Sequence, residues 1–188
     1  MIHIHLKHFL LQSNNRDKYI MHKSYAVTIG RFQPFHLAHL EMIKFAFKNA
    51  NKIIVILGSD SNIRTDKNPW TAVERQNMIE SCLDENQLNN IYFFGIKDYV
   101  NDNNSWVNSI NKSVYSIVDK NADIKLIGYE KDSSSFYLKL FPNWEFISSP
   151  TYKDCDATTI RSMLKEKNFE GVKKMVHPNV YKLLIEKI

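Results

Sequence analysis

Residues 25–40, YAVTIGRFQPFHLAHL, decide the fold class of this chain. The first six are rich in β-branched side chains and close on Gly30, which is typical of a short buried strand. Apolar side chains then recur from Leu40 to Phe47 at helical spacing, which predicts a helix over about residues 39–49. A strand that passes through a short turn into a helix is the basic unit of an α/β fold.

The rest of the chain repeats this alternation. The continuous apolar run IIVIL is typical of a strand buried on both faces of a parallel sheet. Thr71 and Glu74 have the spacing of a capping box and predict a helix start. Further strands are predicted at residues 53–57, 91–96, 124–128 and 145–148, and further helices at residues 105–118, 159–165 and 180–188. The sequence therefore predicts a Rossmann-like, doubly wound parallel sheet of about five strands with C-terminal helices.

Several apolar side chains outside the strands are expected in the core. On the helix that follows Thr71 they are Val73, Met78, Ile79 and Cys82, on the next predicted helix Trp106, Val107, Ile110, Val114 and Ile117, and after the fourth strand Phe136, Tyr137, Leu140 and Phe141. Trp106 is open to a second interpretation, because it lies in the first turn of its helix, near the edge of the sheet where ligands bind.

Length, composition and charge favour one α/β domain. The chain has 188 residues, 44% of them hydrophobic, and we expect residues 25–188 to form one domain and residues 1–24 an N-terminal extension. No apolar run approaches the roughly 20 residues that cross a bilayer. Two distant cysteines, Cys82 and Cys155, form no disulfide framework and fit a reducing cytoplasm. The mild net charge of +5 suits phosphorylated small molecules and does not require nucleic acid.

The turn after the first strand carries residues that suit an anion. Gly30 lets the backbone come close to a ligand. His36 and His39 are three residues apart at the opening of a helix, so both side chains can face the same side. The free amides and the dipole of a helix N-terminus attract phosphate, and two imidazoles beside them can donate hydrogen bonds to it. This segment predicts a polyphosphate site.

A second motif, DATTIR at residues 156–161, precedes a C-terminal helix. Thr158 can cap that helix, and Arg161 offers a planar fork that grips phosphate oxygens. Asp156 has two interpretations at this stage: its carboxylate repels a polyphosphate, or it caps the helix.

Together the two motifs resemble those of a known family. The first resembles the G-x-F-x-P-x-H-x-G-H signature of the nucleotidyltransferase superfamily, and its form G-R-F-Q-P-F-H looks most like the archaeal-type nicotinamide-nucleotide adenylyltransferases, which also occur in bacteria and in fusions with a Nudix domain. The second resembles S-G-T-x-[IV]-R. Ala38, Asp156 and Ala157 depart from the usual residues, and the resemblance covers about residues 26–163.

The resemblance implies an enzyme that transfers AMP from ATP to nicotinamide mononucleotide, giving NAD and pyrophosphate, with Mg2+ brought by ATP. It assigns catalysis to His36, His39 and Arg161; ATP and phosphate binding to Gly30, Arg31, Phe32, Arg64, Lys67, Gly128, Asp132 and Thr158; and acceptor binding to Asp98, Tyr99 and Trp106, with no protein ligand to a metal. Arg75 is either a phosphate contact or a structural residue. Relatives form several kinds of oligomer, so a homo-oligomer is also an expectation.

Other functions remain open from the sequence. The acceptor could be nicotinate mononucleotide, flavin mononucleotide or phosphopantetheine. The chain could also be a nucleotide-sensing module that binds without turnover, although the presence of His36, His39 and Arg161 argues against that. A fragment of an aminoacyl-tRNA synthetase is disfavoured, because a lysine loop of the K-M-S-K-S type is absent from the sequence.

Overall fold

The computed structural model describes residues 23–119, 121–130, 133–152 and 155–186. Within them, five strands form one sheet in the order β3-β2-β1-β4-β5, and every pair is parallel. The strands are β1 (Tyr25–Gly30), β2 (Lys52–Leu57), β3 (Ile91–Gly95), β4 (Ile124–Gly128) and β5 (Glu145–Ser148). The predicted fold class is therefore confirmed, and each predicted strand agrees with an observed one to within a residue.

The helices lie between and after the strands. They are α1 (Leu37–Asn49), α2 (Ala72–Glu80), α3 (Glu85–Leu88), α4 (Asn103–Val114), α5 (Ala157–Lys165), α6 (Phe169–Met175) and α7 (Pro178–Ile185), with a 3-10 helix at Ser133–Leu140. The sequence analysis did not predict α3, α6 or the 3-10 helix. The helix predicted at residues 105–118 corresponds to α4, which ends at Val114 in the structure.

Local side-chain bonds fix where several helices start. Thr71 and Glu74 form the predicted capping box of α2, in which each side chain bonds the backbone N–H of the other residue. Asp84 and Gln87 form a second capping box at α3. Each box satisfies two amide groups that a helix N-terminus otherwise leaves without partners.

Two hydrophobic clusters lie on the two faces of the sheet. Successive side chains of a strand point to opposite faces, so Ala26 belongs to the cluster formed with α1, α2 and the C-terminal helices, whereas Val27 belongs to the cluster formed with α4. Helices therefore cover both faces, as the apolar runs of the central strands require.

Two residues expected in the core lie at the surface. Val73 is 66% exposed, because the inward face of α2 is filled by Arg75, Met78 and Ile79. Phe136 is 52% exposed. Its segment is a 3-10 helix rather than an α-helix, and a repeat of three residues per turn places Leu138 inside and Phe136 outside.

Some sequence-based expectations fall outside the described residues. They include residues 1–22 of the N-terminal extension and Asp132, which was assigned to ATP binding. Within the part of the chain that the structure covers, no helix is both long and apolar enough to cross a membrane.

Candidate active site

The candidate site lies at the point where the sheet changes direction. From β1 the chain proceeds outward through β2 to β3, and then returns to place β4 and β5 on the other side of β1. The crevice beyond the carboxyl ends of β1 and β4 is the place where open α/β sheets bind ligands. The first motif follows β1 directly, and Gly128, assigned to ATP binding from the sequence, is the last residue of β4.

The turn after β1 brings an aromatic ring under the backbone. Phe32 adopts a left-handed conformation with φ of 50°, and its ring is buried against Gly30, where an added Cβ would lie 3.0 Å from the ring. The same ring meets His39 edge-to-face, with the ring centroids 4.7 Å apart. Because the side chain of Phe32 is only 1% exposed, we interpret it as a support for His39 rather than as a surface that contacts ATP.

His36 and His39 form a stacked pair at the start of α1. Their ring centroids are 3.6 Å apart and the ring planes differ by 21°. Both Nδ1 atoms are buried and bond to none of the residues that the structure describes. His36 occupies the N-cap position without capping the helix through its side chain. The two predicted histidines are thus side by side at a helix N-terminus, where backbone amides favour an anion.

Both imidazoles are neutral at physiological pH. Burial lowers the pKa of His36 to about 4, although Asp156 opposes the shift. Burial lowers the pKa of His39 well below its usual range, and the adjacent His36 lowers it further. A neutral imidazole can donate a hydrogen bond to phosphate, and the folded protein does not have to bury a charged group before the phosphate binds.

This burial makes stability dependent on pH. From pH 6.5 downward the unfolded chain binds a proton at His36, whereas the folded chain does not until about pH 4, so stability falls as the pH drops through this window. We expect a contribution of about 1.4 kcal/mol per pH unit from His36. Denaturant unfolding between pH 7.5 and 4.5 measures it. His36→Gln should remove the part of the slope due to His36 and keep the part due to His39, and an unchanged slope in that variant would contradict the assignment.

Arg161 joins the second motif to the first. It extends from α5, and its Nη1 donates to the carbonyl oxygen of Gln33 at 2.7 Å, while Nη2 donates to Thr158 Oγ1 at 3.1 Å. Burial and the neighbouring Arg31 lower the pKa of its guanidinium, and Asp156 acts in the opposite direction. Two residues that are 128 positions apart from each other in the sequence therefore meet at the predicted polyphosphate site.

Asp156 caps α5, so the structure decides between its two interpretations. Its Oδ1 accepts from the backbone N–H groups of Thr158 and Thr159, and its Oδ2 accepts from Thr159 Oγ1. Aspartate and serine are both favoured at the N-cap position, so Asp156 can cap α5 where the family motif has a serine. Its carboxylate also stabilises the positive charge of nearby Arg161.

Arg64 and Lys67 lie on an exposed loop between β2 and α2. Arg64 makes a bidentate ion pair with Glu74, with both N···O distances at 2.8 Å. The same loop is joined to α5 by an ion pair between Lys165 and Asp66. A cleft of about 590 Å³ lies between them; its lining includes Arg64, Asp66, Trp70, Glu74, Arg161 and Lys165. The cleft thus places Arg64 and Arg161, both assigned to phosphate, along one surface.

The hydrogen bonds of Arg75 decide between its two interpretations and show a structural residue. Its side chain is completely buried and donates to backbone carbonyls: Nη1 to Arg31 and Gly58 at 2.6 and 2.7 Å, Nε to Thr71 at 3.2 Å, and Nη2 to Ser59 at the longer distance of 3.4 Å. It therefore ties the turn after β1 to the end of β2 and holds the two loops in register.

On the acceptor side, Asp98 accepts a hydrogen bond from Ser59 Oγ at 3.0 Å, and Tyr99 is partly exposed. Asp98 and Ser59 line a second cleft of about 620 Å³. Trp106 is half-buried and packs edge-on against Tyr137, with ring centroids 6.0 Å apart. It is therefore part of the α4 core cluster while retaining exposed surface.

Two further residues, Gln33 and Tyr137, bond the backbone of segments next to the candidate site, a role that was not predicted from the sequence. The buried amide of Gln33 makes two hydrogen bonds with the backbone of Trp70, at 2.7 and 3.0 Å, and so joins the first motif to the loop before α2. Tyr137 donates from its hydroxyl to the carbonyl of Ile29, near the end of β1. The position of Gln33 inside the first motif was the available signal for its role, whereas no local pattern marks Tyr137.

The sequence profile described as cytidylyltransferase-like matches residues 27–163, which contain most of β1, the other four strands and both motifs. The chain belongs to the cytidylyltransferase-like family. The family profile thus ends within α5, just after Arg161.

Named relatives of this cytidylyltransferase-like chain act on mononucleotides. It is 40% identical over 147 residues to a nicotinamide/nicotinic acid mononucleotide adenylyltransferase of Acinetobacter baylyi, covering 78% of this chain and 76% of the relative. It is 33% identical to a nicotinamide-nucleotide adenylyltransferase of Picrophilus torridus, covering 86% of this chain and 90% of the relative. The resemblance drawn from the motifs is therefore confirmed.

A solved structure agrees with both fold and family. The chain superimposes with a TM-score of 0.75 and 32% identity on a bifunctional NMN adenylyltransferase/ADP ribose pyrophosphatase from Francisella tularensis, complexed with AMP and a manganese ion. The match covers 88% of this chain and 49% of that protein, so this cytidylyltransferase-like chain spans about half the length of the bifunctional enzyme.

Proposed function

We propose that this chain is an adenylyltransferase that joins the AMP moiety of ATP to nicotinamide mononucleotide, giving NAD and pyrophosphate. The observation that carries the proposal is the stacked pair His36 and His39 in the motif whose Gln33 carbonyl Arg161 bonds, at the point where the sheet changes direction. The names of the relatives at 40% and 33% identity support the same reaction.

The proposed chemistry is one in-line displacement. An oxygen of the acceptor phosphate attacks the α-phosphorus of ATP, the bond between that phosphorus and the bridging oxygen to the β-phosphate breaks, and pyrophosphate leaves with the electron pair. A phosphate monoester is already a nucleophile at neutral pH, so a strong base is not required. Catalysis then rests on positioning and on stabilising phosphate charge, which we assign to His36, His39 and Arg161. Arg31, Lys67, Thr158 and the backbone of Gly30 and Gly128 would help to hold ATP.

The residues present do not form a protein cage for a divalent metal ion. Asp156, whose charge acts on His36, caps α5 with Oδ1 and accepts the Thr159 hydroxyl at Oδ2, and no group of three or more metal-ligating side chains occurs in the described ranges. We therefore treat Mg2+ as part of the ATP substrate, bound through phosphate oxygens, and derive no step through it.

The acceptor side suits a nicotinamide ring. We propose that Trp106 offers an aromatic surface to the ring and that the region of Asp98 and Tyr99 receives the amide. A pyridinium cation gains about 0.5–2 kcal/mol from an aromatic face.

Replacing Trp106 by alanine should therefore raise the KM for nicotinamide mononucleotide more than the KM for ATP, because only the acceptor loses its stacking partner. Steady-state kinetics with each substrate varied in turn measures both values. Trp144→Phe perturbs the same core cluster but keeps the Trp106 ring, from which Phe141 separates it, and should change neither KM. Equal effects of Trp106→Ala on both substrates would remove the stacking role.

A direct assay tests the reaction. Purified protein is incubated with Mg2+, ATP and nicotinamide mononucleotide, with nicotinate mononucleotide in parallel because the Acinetobacter relative is named for both, and dinucleotide and pyrophosphate are followed. We expect NAD in wild type and none above background in His39→Ala. Measurable ATP binding with no dinucleotide from either acceptor would favour flavin mononucleotide or phosphopantetheine as acceptor, or a sensing module.

Three wider expectations accompany the function. We propose that residues 25–188 act as one catalytic domain, and that the protein works in the cytoplasm, where its free cysteines Cys82 and Cys155 stay reduced. We also propose a homo-oligomer, which light scattering of the purified protein tests.

A further inference from the structure

Arg64 is held along one edge of its guanidinium group. Nη1 donates to the carbonyl oxygen of Pro69 at 2.6 Å and to Glu74 Oε2 at 2.8 Å, and Nη2 donates to Glu74 Oε1 at 2.8 Å. These three bonds use both hydrogens of Nη1 and one hydrogen of Nη2. A guanidinium group has five N–H donors, so two remain: the Nε hydrogen and the second Nη2 hydrogen.

The two remaining donors form a fork. Nε and Nη2 lie on the same edge of the planar group, and a pair of parallel N–H donors matches two oxygens of one phosphate. Neither donor bonds to any of the residues in the described ranges. Arg64 lines the same cleft as Arg161, and its side chain is 53% exposed, so this fork is accessible to a ligand.

Glu74 is itself fixed in place. Its side chain is only 14% exposed, and its Oε2 accepts the backbone N–H of Thr71 at 2.7 Å as part of the capping box of α2. The carboxylate therefore belongs to the rigid start of a helix, whereas Arg64 belongs to an exposed loop. An arginine side chain that is not held loses rotamer freedom when a ligand fixes it, and that loss opposes binding.

We propose that Glu74 is a positioning residue for the reaction: together with the Pro69 carbonyl, it holds one edge of Arg64 so that the Nε–Nη2 edge is presented to the polyphosphate of ATP across the cleft from Arg161. The inference rests on the proposed function for its substrate. The proposed role of Glu74 is distinct from helix capping. A capping box needs the bonds between Thr71 and Glu74, but it needs no arginine.

Five variants separate positioning from helix capping. Glu74→Gln keeps an oxygen that can accept from Thr71 N and so keeps the capping box, but it loses the charge and one of the two acceptors for Arg64. Arg64→Lys keeps the charge but has no fork, and it leaves α2 unchanged. Arg64→Ala removes the group, and Arg64→Ala/Glu74→Gln completes a double-mutant cycle. Thr71→Val removes a capping bond without touching the ion pair and serves as the matched control.

The measurements are the KM values for ATP and nicotinamide mononucleotide, ATP binding by calorimetry and the melting temperature. We expect Glu74→Gln and Arg64→Lys each to weaken ATP binding at least fivefold. The KM for the acceptor should change less than twofold in both variants. Glu74→Gln should have no further effect in the Arg64→Ala background. Thr71→Val should lower the melting temperature and leave ATP affinity unchanged.

Two results would overturn the proposal: unchanged or tighter ATP binding in folded Glu74→Gln or in Arg64→Lys, or effects of Glu74→Gln and Arg64→Ala that multiply in the double variant. If Glu74→Gln fails to fold, unchanged ATP binding in Arg64→Lys still overturns the proposal, because the fork is then not needed. Wild-type protein that binds ATP but forms no dinucleotide would reject the proposed function, while the calorimetric cycle would still test the positioning role.

Discussion

Arg161→Lys is expected to lower kcat/KM for NAD formation by more than tenfold, which corresponds to over about 1.4 kcal/mol of transition-state stabilisation. In the structure, one guanidinium nitrogen bonds the Gln33 carbonyl and the other bonds Thr158 Oγ1. The remaining donors are then presented to phosphate in a fixed orientation. Lysine keeps the charge, but a single ammonium group cannot hold the turn after β1 and also offer a planar fork. Steady-state kinetics with ATP varied measures the loss.

Two controls separate catalysis from folding in this variant. The melting temperature of Arg161→Lys should stay close to that of wild type, because the side chain is partly exposed and the apolar core is unchanged. Arg161→Gln removes the charge as well and should lose more activity than the lysine variant. A rate within twofold of wild type for Arg161→Lys would remove this residue from the mechanism.

Arg75→Met should lower the free energy of unfolding by about 3–5 kcal/mol, because buried carbonyl groups that had a charged donor are left without one. The affected carbonyls belong to Arg31, Gly58 and Thr71. Methionine has a similar length and fills much of the space, so the lost bonds rather than a cavity dominate the effect. Denaturant unfolding monitored by circular dichroism measures it.

Arg64→Met is the matched control for this prediction. It removes an arginine from the same stretch of chain, but that side chain is 53% exposed, so water can replace its hydrogen bonds more readily than those of the buried Arg75. If Arg75→Met is no more destabilising than Arg64→Met, the buried side chain does not hold the two loops together.

The sequence predicted both ends of the candidate site because each is encoded locally. His36 and His39 are three residues apart at a helix start, a spacing that places them side by side wherever that helix packs. The bonds of Asp156 to Thr158 and Thr159 likewise lie within one helix turn. The sequence left its role open because a carboxylate is equally suited to capping and to repelling a phosphate.

Other roles could not be predicted because they depend on contacts between distant segments. Arg75 contacts carbonyls 44 and 17 positions away along the chain, and no spacing rule indicates that three loops meet there. Trp106 is both a core residue and partly exposed, so neither interpretation of it excluded the other. Phe136 was misplaced because its apolar neighbours follow a three-residue repeat rather than a helical one.

By itself the sequence determined the alternation of strands and helices, the parallel sheet and the family motifs, because apolar periodicity and capping chemistry act over a few residues. Only the tertiary structure decided which cations lie along one cleft, which arginine is buried against backbone carbonyls and which is paired with Glu74 at the surface. The order β3-β2-β1-β4-β5 brings the ends of distant strands to one edge, and side chains such as Arg161 and Gln33 then meet across it. Such contacts depend on packing over the whole chain, which no local pattern records.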